Sequence, residues 1–128
     1  MRPSASKLLA LCLLVLAACP KRVVVNGQEM DVAQADDLAR RDLAAVRAGA
    51  ASLPPAERAA RLDTFAARYP GVPAAAEALH DAALLWREAG QPDRAAQSLG
   101  RLLTEHPLYP RAVEAKYLLA LSDLEQGR

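Results

Sequence analysis

The sequence predicts an all-α fold: a solenoid of about five helices stacked as helical hairpins, preceded by a signal segment at the amino terminus. Three observations predict it. The 128 residues are rich in alanine, hold one Phe, one Trp and three Tyr, and carry few β-branched side chains beyond Val23–Val25. That composition favours helices packed closely through small side chains. From Asp31 onward, apolar residues recur at helical spacing between breaks marked by proline and glycine. Finally, much of the segment from Leu62 to Gly90 is written a second time, 37 residues later.

The amino terminus comes first. A short basic head (Arg2, Lys7) precedes an apolar run, Leu8–Leu16, the layout of a secretory signal. The run is shorter than the roughly 20 residues a membrane helix needs. It ends in Leu16-Ala17-Ala18-Cys19. Small residues before a cysteine resemble the cleavage box of bacterial lipoproteins. That resemblance implies removal of residues 1–18, a diacylglyceryl group on the sulfur of Cys19 and acylation of the new amino terminus. Several acyl chains on one residue make membrane anchoring stable, where one alone is marginal. Pro20 and Lys21, rather than Asp, follow the cysteine, which resembles the class sorted to the outer membrane.

Maturation at this site leaves about 110 residues with a formal charge of about −1, enough for one domain with a modest core. No basic excess points to nucleic acid. Cys12 leaves with the signal and Cys19 is blocked by its lipid, so no disulfide or Cys-x-x-Cys zinc site is expected.

Residues 19–31 read as the lipid anchor and a tether. Val23-Val24-Val25-Asn26-Gly27 has strand-like residues before a hairpin-type dipeptide. Gln28-Glu29-Met30 makes a poor return strand, so Pro20–Met30 is expected to be at most a short ribbon or an extended linker. The helical-repeat domain is expected over 32–128. Its first helix spans Val32–Ala50, with Val32, Ala35, Leu38, Ala39, Leu43 and Val46 on one stripe, and ends before Pro54-Pro55. A second runs about Ala56–Arg68, with Ala59, Leu62, Phe65 and Ala66 inward. The third runs about Ala74–Ala89 and stops at Gly90. A fourth runs from near Pro92 to Glu105, and a fifth covers about Arg111–Gln126. Asp36-Asp37 suit the beginning of a helix through its dipole.

One offset relates ten pairs, among them Pro70 and Pro107, Pro73 and Pro110, Glu77 and Glu114, Ala83 and Ala120, Glu88 and Glu125, and Gly90 and Gly127. A period of this size built from two helices means hairpins that bury their apolar faces by stacking. Leu79-x-x-Ala82-Ala83-x-x-Trp86, then Ala95-x-x-x-Leu99, then Pro107 resembles the tetratricopeptide repeat. Ala82-Ala83 stand where that pattern has Leu-Gly, and the period exceeds the usual 34. The longer form is similar to the repeats of periplasmic outer-membrane lipoproteins: the BamD type, the Tol–Pal coordinator type, and the amino-terminal domains of penicillin-binding-protein activators. The resemblance covers roughly 56–127. It divides the domain into a weak repeat at 32–69, a clear repeat at 74–107 and a half repeat at 110–127.

In tetratricopeptide proteins the first helix of each repeat lines a concave groove. By that resemblance the partner-binding residues here are Glu77, His80, Leu84, Arg87 and Glu88, then Glu114, Tyr117 and Leu121. The mixed charged and aromatic lining suits a peptide or a partner helix. No Gly-x-Ser-x-Gly elbow or free cysteine nucleophile is present, His80 is read as having no second metal ligand one helical turn away, and His106 occupies the slot of Tyr69 one repeat on, as a loop-packing residue. The expectation is therefore a non-enzyme with no metal and no cofactor beyond the covalent lipid on Cys19. The resemblance implies a lipid-anchored scaffold on the periplasmic face of the outer membrane, with no nucleic-acid partner. It would bind another envelope protein in outer-membrane assembly or in peptidoglycan synthesis and division. The alternative is an amino-terminal module of a larger lipoprotein that regulates a cell-wall enzyme or binds a small ligand. The fifth helix resembles a first helix without its second. Val113, Tyr117, Leu118, Leu121 and Leu124 are more apolar than a cap requires, so it is a cap, a docking element or the lead into further chain.

Overall fold

The computed structural model of the chain describes residues 21–128; residues 1–18, expected to be a signal, and Cys19, expected to carry a lipid, lie outside the described residues. The fold over the described residues is mostly helical, with five helices behind a two-stranded hairpin. The strands are β1 (Arg22–Val25) and β2 (Gln28–Asp31). The helices are α1 (Val32–Ala50), α2 (Pro55–Arg68), α3 (Pro73–Glu88), α4 (Pro92–Glu105) and α5 (Ala112–Glu125). Each helix packs on the next, and α1 also touches α3. The connections are short, so consecutive helices run antiparallel.

Of the two expectations for Pro20–Met30, a short ribbon or an extended linker, the described residues take the ribbon. β1 and β2 pair antiparallel, with Val23 opposite Met30 and Val25 opposite Gln28. Asn26 and Gly27 both take positive φ, 50° and 77°, which a two-residue turn matching the strand twist requires. Side chains alternate across the ribbon. Val25 is 1% exposed and belongs to the main core, Val23 and Met30 pack against that core, and Val24 faces out. Turn geometry and apolar burial outweigh the weak strand propensity of Gln28-Glu29. The ribbon is thus part of the body. It leads straight into α1, where Asp31 caps the helix by accepting from the Ala33 amide at 2.7 Å and the Val32 amide donates to the Lys21 carbonyl at 2.9 Å.

The helix boundaries follow from the breaks in the sequence. Proline occupies the first turn of α2, α3 and α4, where its missing N–H is no loss. The core is built mainly of alanine and leucine. On α3, six alanines between Ala74 and Ala83 are buried to 1% exposure or less, so this helix is enclosed on several sides. Alanine there keeps neighbouring backbones close. Phe65 and Tyr69 are among the largest fully buried side chains, their rings 4.9 Å apart.

Three aspartates help tie the helices together. The Tyr69 hydroxyl donates to the Asp42 carboxylate of α1. Burial, and then this bond, push the phenol pKa up to about 12. Asp36 does not serve its own helix start in the manner expected: its Oδ1 accepts from the Ala74 amide at 2.9 Å. It therefore caps α3, whose own N-cap position holds Val72. Asp63 of α2 accepts from Trp86 Nε1 of α3 at 2.8 Å and from Ser98 Oγ of α4 at 2.7 Å, joining three helices at one carboxylate.

Candidate interaction surface

Helices α1, α3 and α5 lie side by side and are stitched by charged pairs. From α1 to α3, Arg40 meets Glu77 at 3.0 Å and Arg47 meets Asp81 at 2.5 Å. From α3 to α5, Arg87 meets Glu125 at 2.8 Å, and His80 Nε2 lies 3.5 Å from Glu114. Partners along this ladder are separated by about one repeat, 34 residues for Arg47 and Asp81 and 38 for Arg87 and Glu125. The geometry of α3 explains the division of labour. At about 100° per residue, Glu77, Asp81 and Glu88 lean to one side, His80 and Arg87 to the other, and Leu84 falls between them.

The structure sorts the predicted lining residues into two groups. Leu84 (42% exposed) and Glu88 face out, Tyr117 is 67% exposed, and Glu77 and Leu121 are half-buried. His80 is different, and its expected place on an open groove is corrected. It is fully buried beneath α5, and neither ring nitrogen has a hydrogen-bond partner among the described residues. Its ring lies 6.0 Å from that of Tyr109. Burial lowers its pKa, the positive charge of Arg111 adds to that, and Glu114 opposes without prevailing. His80 is therefore a neutral packing residue at neutral pH. Arg87 is committed to Glu125, and Glu114 is held by a two-pronged contact with Arg111, which keeps its carboxyl below the usual range. Arg87 thus joins α3 to α5, Glu114 is tied to the start of its own helix, and His80 is packed between helices, so each of the three is engaged within the fold.

Beside Leu84, the packing of α1, α2 and α3 leaves a cavity of about 320 Å³. Val46, Ala50, Leu62, Leu84 and Leu85 form its apolar lining, with the Arg47–Asp81 pair and Arg58 adding charge. This site fits an apolar side chain entering between charged groups. Sequence reasoning found Leu84 but missed Val46, Arg47, Arg58 and Asp81. A signal was present: Arg40 and Glu77, and Arg47 and Asp81, are opposite charges spaced near the repeat period, where stacked hairpins bring them together. Such pairs at half-exposed positions add register more than stability, about 0–1 kcal/mol each.

Among the described residues no group of three or more His, Cys, Asp or Glu side chains is placed to hold a metal ion, and no helix is long and apolar enough to cross a membrane. The Ser98 hydroxyl is spent on Asp63 and Ser122 is buried. The chain matches no known family, no curated protein and no solved structure.

Proposed function

We propose that this chain is a lipid-anchored periplasmic scaffold that binds another cell-envelope protein through a tetratricopeptide-type surface, in outer-membrane assembly or in peptidoglycan synthesis and division. The observation that carries the binding part is the layer formed by α1, α3 and α5, cross-paired at the repeat period and presenting Leu84 beside the 320 Å³ cavity. First helices side by side are what a stack of helical hairpins places on one face. An apolar recess flanked by fixed charges suits a partner segment with an apolar anchor. The anchoring part rests on Leu16-Ala17-Ala18-Cys19 behind the apolar run. A lipid at Cys19 would hold the recess close to one membrane face and raise the effective concentration of partners confined there.

Photo-crosslinking in living cells tests the binding reading. A crosslinker at Glu88 should capture an envelope protein, and Leu84→Arg should abolish that capture without changing the melting temperature. Capture that is indifferent to Leu84→Arg would place the interface elsewhere. Metabolic labelling with a fatty acid tests the anchor: the unsubstituted chain should be labelled and Cys19→Ser should not. Equal labelling of both would remove the lipoprotein reading.

A further inference from the structure

Helix α5 has two apolar faces. Ala115, Leu118 and Ser122 are buried toward the body. On the opposite side Val113, Tyr117, Ala120 and Leu124 form one stripe, and Val113, Tyr117 and Leu124 are 83%, 67% and 71% exposed. One repeat earlier the same positions are Ala76, His80, Ala83 and Arg87, of which the first three are at most 1% exposed. The stripe is therefore the surface that, on α3, the neighbouring helices cover.

The residues beside the stripe decide what covers it on α5. Lys116 and Asp123 flank it, where α3 has the core residues Leu79 and Trp86, 0% and 4% exposed. Asp123 already meets Arg128 at 3.1 Å. A further hairpin docked as α4 docks on α3 would bury that pair together with Lys116, which has no ion-pair partner among the described residues, at a cost of several kcal/mol unless the lysine were paired. A second copy of α5 running antiparallel does not meet that problem. With a two-fold axis between positions 117 and 120, Tyr117 faces Ala120 of the second copy and Val113 faces Leu124. The large ring thus meets the small side chain. Lys116 lies across from Asp123 on one rim, and the symmetry makes that pair twice. A parallel arrangement sets Tyr117 against Tyr117 and leaves Lys116 unmatched.

We infer that the outer stripe of α5 is a self-association surface, on which two copies of this chain pair antiparallel and isologously. The area is small. Two such faces remove roughly 1,000 Å² from water, below the roughly 1,200 Å² at which stable specific interfaces begin. The dimer is accordingly weak and reversible, with Lys116 and Asp123 setting its direction more than its strength. The inference is independent of the partner site beside Leu84.

Co-expression of two differently tagged full-length chains, one Val113→Cys and the other Leu124→Cys, tests the geometry. On mild oxidation the mixed pair should form a disulfide above the background of the unsubstituted chain, which carries Cys12 and Cys19. Neither variant alone should do so, because antiparallel pairing separates like positions by eleven residues, about 16 Å along the helix. Crosslinking of either variant with itself means a parallel contact and overturns the inference. So does an absent mixed crosslink, or trapping of Leu124→Cys on a different protein only. Charge reversal gives a second reading. Lys116→Glu or Asp123→Lys alone should lower the mixed crosslink about threefold, and the two together in each chain should restore it. Failure to restore would also overturn the assignment.

Discussion

Replacing Asp63 by alanine should be among the most damaging single changes in this fold. The Asp63 side chain accepts from Trp86 Nε1 at 2.8 Å and from Ser98 Oγ at 2.7 Å. Both donors belong to residues with almost no exposure, 4% and 2%. Asp63→Ala leaves an indole N–H and a hydroxyl without their acceptor. A hydrogen bond to a charged group contributes about 1.5–3 kcal/mol. Asp63 is itself half-buried, so water reaches part of the site, and the low end of that range applies: about 3 kcal/mol for the two bonds. A domain of this size is stable by roughly 5–15 kcal/mol, and 1 kcal/mol moves its melting point by roughly 4 °C or more. The loss is therefore a substantial fraction of the total, a fall of roughly 12 °C. Urea unfolding followed by far-ultraviolet circular dichroism measures it. A double-mutant cycle with Trp86→Phe separates the indole bond from the packing of the ring. The pair should couple by about 1–2 kcal/mol, since a phenyl ring in place of the indole has no donor to lose. A loss below about 1 kcal/mol for Asp63→Ala, or strict additivity of the two changes, would refute the claim that one carboxylate organises α2, α3 and α4.

Three further outcomes are expected. Burial lowers the pKa of both His80 and His106, so the unfolded chain takes up protons before the folded one does; stability should fall as pH drops below about 6.5, and His80→Gln should flatten that slope in thermal melts from about pH 7.5 to about pH 5.5. Gly27→Ala forces an L side chain to a φ of 77° and should lower stability by about 1–2 kcal/mol in urea titrations, by loosening the hairpin that holds Val25 in the core. Ala83→Leu should overfill the contact around α3 and cost about 1–3 kcal/mol, whereas Ala120→Leu, the same position one repeat later, should be nearly neutral in dilute solution; equal effects would mean that α5 is covered as α3 is.

Most of the helical architecture was legible in the chain because its signals are local. Proline at the start of α2, α3 and α4 and the glycines after α3 and α5 act within a few residues, so the breaks can be read without knowing the neighbours. The inward residues of α2 (Ala59, Leu62, Phe65 and Ala66) also follow from periodicity alone, because that helix buries a single face. The interaction surface was read less well. His80 and Arg87 lie on the same arc of α3 as Leu84 and Glu88, and nothing local distinguishes them. The difference is made by α5, about one repeat further along the chain, which covers the first two and leaves the others open. The hairpin was underread for a related reason: Gln28-Glu29 is poor strand sequence until the Asn26-Gly27 turn and the burial of Val25 fix its register.

By itself, the sequence determined the helix count and the 37-residue period, since these depend on order along the chain. Only the tertiary structure decided which charges are spent and which surfaces are free. Asp36 caps a helix other than its own, Asp63 serves two donors on two other helices, and His80 is buried while its counterpart Tyr117 is exposed. Each is a relation across the stack. Local propensity is blind to such relations, because a side chain's solvation and charge depend on what packing places beside it.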